Sequence, residues 1–90
     1  MDAIPISKFT ITRMPLVTHL VVEASELRDF RSNNLGRYPI HLSVQGERST
    51  RLFGPVRPQI DREGETIAYV YEIMDRQAGE PIIEVHVLND

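Results

Sequence analysis

Residues 66–74, with the sequence TIAYVYEIM, show the alternation that decides the fold of this chain. Ile67, Tyr69, Tyr71 and Ile73 fall on one face of an extended segment, because successive side chains of a β-strand point to opposite faces. Period-two alternation of large apolar residues is typical of a strand with one face in the core. The segment therefore predicts a strand within an antiparallel sheet.

The same kind of pattern recurs along the rest of the sequence. Gly46-Glu47 is predicted as a tight hairpin turn, Gly64 as the centre of a polar turn, and residues 54–58, with two prolines, as an irregular loop. The other strand-like segments are 7–14, 16–24, 38–45, 48–53 and 81–88. Five to six antiparallel strands predict an all-β or β-rich α+β fold, a small meander closed as a barrel or a sandwich.

One segment departs from this alternation. Leu27 and Phe30 lie three residues apart, as on one face of a helix, and Ser25 is a residue type that caps helix N-termini. We therefore expect one short helical turn near residues 25–32.

The composition limits the class of protein. The chain has 90 residues, 41% of them hydrophobic and 26% charged, which predicts a single globular domain over residues 1–90. It has no cysteine, so a disulfide framework and a cysteine nucleophile are excluded, and a cytoplasmic location is the simpler expectation. Since no apolar run reaches the length of a membrane span, we expect a soluble protein with no membrane partner.

The sequence offers no catalytic or metal-binding motif. His19, His41 and His86 lie at alternating positions of predicted strands, but no two of them have the close spacing of metal ligands. Neither a Gly-x-Ser-x-Gly run nor a glycine-rich phosphate loop is present. We therefore predict that the protein is not an enzyme and uses neither a metal nor another cofactor.

Arginine and aromatic residues, which are common at the centres of protein interfaces, suggest a function in binding. The candidate anchors of such an interface are Arg51, Phe53, Arg57, Tyr69 and Tyr71. The sequence thus favours a non-catalytic protein-interaction domain, such as a small inhibitor or adaptor of a larger protein complex. A homodimer is a further expectation, because the C-terminal strand is predicted as an edge strand that could pair with a second chain.

An alternative function is the binding of single-stranded nucleic acid through the arginine-rich segment 28–57. Arginines beside aromatic residues can neutralise phosphates while the rings stack on bases. The candidate residues are Arg28, Arg31, Arg37, Arg48 and Arg51. The formal net charge of −3 opposes this interpretation, so nucleic acid is the less favoured partner.

Overall fold

Two four-stranded antiparallel sheets form the body of the molecule. The computed structural model describes residues 2–33, 40–74, 82 and 84–89, which contain eight strands and one helix. In chain order they are β1 (Asp2–Ile6), β2 (Phe9–Arg13), β3 (Thr18–Glu23), α1 (Ala24–Asn33), β4 (His41–Gln45), β5 (Ser49–Leu52), β6 (Arg57–Ile60), β7 (Thr66–Ile73) and β8 (Glu84–Asn89). The first sheet has the order β1-β8-β4-β5, and the second has the order β2-β3-β7-β6.

This architecture confirms the predicted all-β class, and its two sheets are consistent with a sandwich. The predicted simple meander is wrong, because the neighbours β1 and β8, β8 and β4, and β3 and β7 are not consecutive in the chain. The described residues form more strands than the predicted five to six, because β1 and β6 are additional. Pro5 and Pro58 lie within these two strands, where proline is tolerated because both strands are sheet edges. The prediction that residues 54–58 form only a loop is therefore wrong for Arg57 and Pro58.

The connectivity also corrects the expected role of the C-terminal strand. Strand β8 lies between β1 and β4 and pairs with both, so it is an interior strand of the first sheet. The predicted edge pairing of this strand with a second chain is therefore wrong, since both of its edges are already hydrogen-bonded within the chain.

The inner faces of the two sheets form one apolar core, which follows from the alternation in the sequence. In the second sheet, Leu20 pairs with Tyr71, and Thr18 pairs with Ile73. Both sheets and the helix contribute buried side chains, and the cluster consists of Ile6, Leu20, Val22, Leu27, Ile40, Leu42, Val44, Leu52, Tyr71, Ile73, Val85 and Val87. Burial of these side chains supplies the main favourable free energy of folding.

The segment 16–24 is predicted as a single strand, but its first residues form a turn. Leu16 is 87% exposed, and the backbone N–H of Met14 donates to the carbonyl of Val17 at 3.0 Å. Pro15 explains the difference, because it lacks the N–H that a continuing ladder needs and sits readily in a turn.

The hydroxyl group of Tyr71 connects the two sheets through the core. Tyr71 in β7 is fully buried, and its hydroxyl donates a 2.7 Å hydrogen bond to the carbonyl of Ile40, which immediately precedes β4. Gly54 lies against the same ring, where an added Cβ would approach it to 3.2 Å. Tyr71 is therefore a structural residue, and its prediction as a surface anchor is wrong because the hydrophobic face of β7 points into the core.

Helix α1 follows β3 directly and is longer than the predicted turn. Its Leu27 is fully buried, and the Glu26 carboxylate accepts hydrogen bonds from the connection between β1 and β2. The acceptor oxygen is 2.7 Å from the backbone nitrogen of Lys8 and 3.1 Å from that of Ser7. These bonds, led by the one from Lys8, hold the pKa of the Glu26 carboxyl below its ordinary value of 4.5.

We predict that Tyr71→Phe lowers the free energy of unfolding by about 1–3 kcal/mol, because the buried Ile40 carbonyl loses a hydrogen-bond donor. Urea unfolding followed by circular dichroism measures this change. The control is Leu16→Ala, which should change stability by no more than about 0.5 kcal/mol, since Leu16 is exposed. Equal effects of the two substitutions would contradict the assigned role of the hydroxyl.

We also predict that Glu26→Gln reduces the decrease in the free energy of unfolding that accompanies acidification. The lowered pKa means that the ionised carboxylate stabilises the fold above its unfolded-state pKa. This contribution is lost as the pH falls through the lowered folded-state pKa, so the variant should be less stable at neutral pH and lose less on acidification. Urea unfolding at several pH values tests this, with the exposed Glu47→Gln as a control that keeps the acid-dependent loss.

Candidate functional site

The outer face of the first sheet collects polar and aromatic side chains. Along β4, Leu42 and Val44 point into the core, so His41, Ser43 and Gln45 point outward. The register extends this face across the neighbouring strands. Ser43 lies opposite Arg51 of β5 and His86 of β8, whereas Gln45 lies opposite Ser49 and Glu84.

An exposed aromatic ring stands at one end of this face. Phe53, which follows β5, is 66% exposed. The His41 ring meets it edge-on, with 4.8 Å between the ring centroids and an interplanar angle of 72°. The guanidinium carbon of Arg51 lies 5.5 Å from the centroid of the Phe53 ring, within the range of a cation–π contact. We refer to His41, Arg51 and Phe53 as the aromatic platform.

A hydrogen-bonded group of small polar side chains adjoins the aromatic platform. The Gln45 amide donates to the hydroxyl oxygens of Ser43 and Ser49, each at 3.0 Å. The two hydroxyl oxygens are themselves 3.3 Å apart. These contacts connect the three side chains into one hydrogen-bonded group.

The same face carries negative as well as positive charge. Glu84 of β8 is 62% exposed, and its carboxylate lies 3.4 Å from the His86 ring nitrogen. Since Arg51 lies on β5 and Glu84 on β8, the two charges are separated by β4. A mixed distribution of this kind suits a polar partner surface better than a uniformly charged polyanion.

The five predicted anchors do not form one surface. Arg51 and Phe53 lie together on the aromatic platform, whereas Arg57 begins β6 in the other sheet. Tyr69 is half-buried and packs against the core, and Tyr71 is fully buried. The structure thus brings together two of the five residues and separates them from the others.

The predicted nucleic-acid residues are also dispersed. Arg28 is exposed on α1, which contacts the second sheet, while Arg48 and Arg51 lie in or beside β5 of the first sheet. Arg31 falls on α1 with a side chain outside the described part of the structure, and Arg37 lies outside the described residues. Among the residues described, only Arg48 and Arg51 share a hairpin with an exposed aromatic ring.

The three histidines do not converge. His41 and His86 lie on the first sheet, whereas His19 lies on the second, where its ring nitrogen is 3.4 Å from the Glu72 carboxylate. In the described ranges, no three acidic or histidine side chains are placed to hold a metal ion. A groove of about 460 Å³ lies on the second sheet and contains none of these histidines; it is lined by Ser7, Lys8, Phe9, Thr10, Val21, Glu23 and Ala68.

Comparison with known proteins gives no relative from which a function could be transferred. No protein-family model, curated protein or solved structure matches this chain. Among the described residues, no helix combines the length and apolarity needed to cross a membrane.

We predict that Phe53→Ala and Leu52→Ala have very different effects on stability, although the two residues are neighbours. Leu52 is a buried core residue, and its truncation should lower the free energy of unfolding by about 2–5 kcal/mol. Phe53→Ala removes only exposed contacts with His41 and Arg51 and should cost about 1 kcal/mol or less. Urea unfolding measures both changes. A loss for Phe53→Ala as large as that for Leu52→Ala would contradict a surface role for the ring.

Proposed function

We propose that this chain is a non-catalytic protein-interaction domain that binds a larger protein through the aromatic platform, as a small inhibitor or adaptor does. The observation that carries the proposal is the exposed ring of Phe53, which is 66% accessible and is framed by His41 and Arg51. Aromatic residues, phenylalanine among them, and arginine are enriched at the centres of protein interfaces, and arginine is also among the residue types that contribute most to binding energy.

The surroundings of Phe53 favour binding because they lower its entropic cost. Free side chains lose rotamer freedom when they are immobilised at an interface, and this loss opposes association. Phe53 already contacts two neighbours, and the Ser43–Gln45–Ser49 group is already hydrogen-bonded. A partner surface therefore meets a face whose side chains are largely arranged beforehand.

The side chains of the aromatic platform indicate which chemical groups a partner surface should present. Phe53 would enter an apolar depression, and Arg51 would meet a carboxylate or a carbonyl at its rim. The exposed Ser49 and the half-buried Gln45 would exchange hydrogen bonds with the polar backbone of the partner, whereas Ser43 is buried beneath them. No cofactor or catalytic step is required for this function, and a cytoplasmic location stays a prediction from the sequence.

We predict that Phe53→Ala and Arg51→Ala each weaken partner binding about tenfold or more while the fold is retained. The immobilised chain is used to capture proteins from an extract of its native host, and the affinity of a captured protein is then measured by calorimetry. The matched controls are Ile60→Ala and Arg62→Ala, which truncate an exposed apolar residue and an exposed arginine outside the platform. Equal retention of the captured protein by all four variants would contradict the proposal.

Single-stranded nucleic acid is the alternative partner, because a base could stack on the exposed Phe53 ring beside Arg51. Glu84 on the same face and the net charge of −3 oppose it. Fluorescence anisotropy with a mixed-sequence oligonucleotide distinguishes the two functions. Binding that weakens steeply with salt and is lost in Phe53→Ala would replace the protein partner with nucleic acid, whereas no binding in low salt would remove this alternative.

A further inference from the structure

We infer that two copies of this chain associate by antiparallel pairing of their β2 strands, which would join the second sheets of the two copies into one. This surface lies on a different sheet from the aromatic platform, so the inference is independent of the proposed function. It rests on the backbone geometry of β2, on the absence of edge protection in its sequence, and on the fit of β2 to a second copy of itself.

The hydrogen-bond register shows which backbone groups of β2 point to the open edge. The N–H of Glu23 donates to the carbonyl of Lys8, and the N–H of Met14 donates to that of Val17. Both pairs belong to the β2–β3 register, and hydrogen-bonded pairs alternate along an antiparallel ladder. The even-numbered residues of β2 therefore bond to β3. The N–H and C=O groups of Phe9, Ile11 and Arg13 point away from it, toward an edge with no neighbour among the described strands.

The other three sheet edges carry features that discourage pairing, and β2 does not. Strand β1 contains Pro5, and β6 contains Pro58 together with a register shift. Strand β5 has only four residues. The N–H of Gly46 bonds to the carbonyl of Arg48, and hydrogen-bonded pairs alternate along the ladder, so the backbone groups of the charged residue Arg51 face the open edge of β5. Prolines, bulges, short length and central charges are the usual protections of an edge strand. Strand β2, with the sequence FTITR, has its one charged residue at its end.

Strand β2 is complementary to a second copy of itself about a two-fold axis at Ile11. Antiparallel pairing then places Phe9 opposite Arg13 of the second copy, which permits two cation–π contacts per dimer. Thr10 lies opposite Thr12 of the second copy, a favourable cross-strand pair on the solvent side. In this register, the backbone N–H and C=O groups of Phe9, Ile11 and Arg13, which point to the open edge, all find hydrogen-bonding partners on the second copy.

The apolar side chains of β2 supply the hydrophobic part of this contact. Phe9 and Ile11 pack against the core but are only partly buried, since they lie at the margin of the sheet. A second β2 strand would cover the accessible part of both. Because one strand pair forms a small interface, we expect a weak, reversible dimer and not a permanent one.

Charge substitutions at Thr10 and Thr12 test this dimer without disturbing the fold, because both side chains are exposed. Thr10→Lys/Thr12→Lys places like charges opposite each other twice per dimer, and the dissociation constant should rise about tenfold. Thr10→Lys/Thr12→Glu places opposite charges there instead, and it should dimerise at least as well as the wild type. Sedimentation equilibrium from about 10 µM to about 1 mM measures the three dissociation constants.

Each outcome decides the inference. Weaker association of the Lys/Lys variant together with retained association of the Lys/Glu variant supports β2 pairing, since both variants carry the same new lysine. A wild-type chain that stays monomeric over the whole range overturns it. Equal dissociation constants for the two variants also overturn it, because a dimer formed through another surface would be insensitive to the sign of the charge at residue 12.

Discussion

The hydrogen bond from the Tyr71 hydroxyl to the Ile40 carbonyl fixes how the two sheets face each other. Tyr71 belongs to the second sheet, and Ile40 leads into β4 of the first, so the bond spans the core between residues 31 apart in the chain. A tyrosine hydroxyl in an apolar core needs a partner, because an unsatisfied polar group costs more than the bond itself returns. The ring therefore fits only where the Ile40 carbonyl is within reach. This limits how β7 and the start of β4 can slide against each other, while the burial of Leu42 and Val44 determines which residues of β4 face outward.

The pairing register of β4 and β5 then determines which side chains reach the outer face of the first sheet. With Leu42 and Val44 in the core, His41 and Gln45 must lie outside, and the pairing of Leu42 with Leu52 sends Arg51 outward as well. A shift of one residue would exchange the two faces of β5, since side chains alternate with a period of two. The aromatic platform is thus a consequence of the packing beneath it. Because Leu52 faces the core, its neighbours Arg51 and Phe53 both face outward.

The sequence predicts the fold class well because alternation is a local property that the strands retain. It fails at the hairpin between β4 and β5, where the predicted two-residue turn at Gly46-Glu47 would pair Gln45 with Arg48. The structure pairs Gln45 with Ser49 instead, and the N–H of Gly46 donates to the carbonyl of Arg48. That single additional turn residue places Phe53 beside His41. The three-residue turn keeps Leu52 on the core face with Leu42 and Val44, whereas a two-residue turn would place Leu52 on the outer face.

The residues that sequence alone could not classify are those whose environment is set by topology. Tyr69 and Tyr71 have the same parity in one strand and lie opposite the buried residues Val22 and Leu20, yet Tyr69 is half-buried and Tyr71 is fully buried. Glu26 looks like any exposed helical glutamate in the sequence. It becomes the acceptor for the β1–β2 connection only because that connection crosses from the first sheet to the second next to α1. The crossover also separates two features of the surface, because it leaves the aromatic platform on the first sheet and the edge strand β2 on the second.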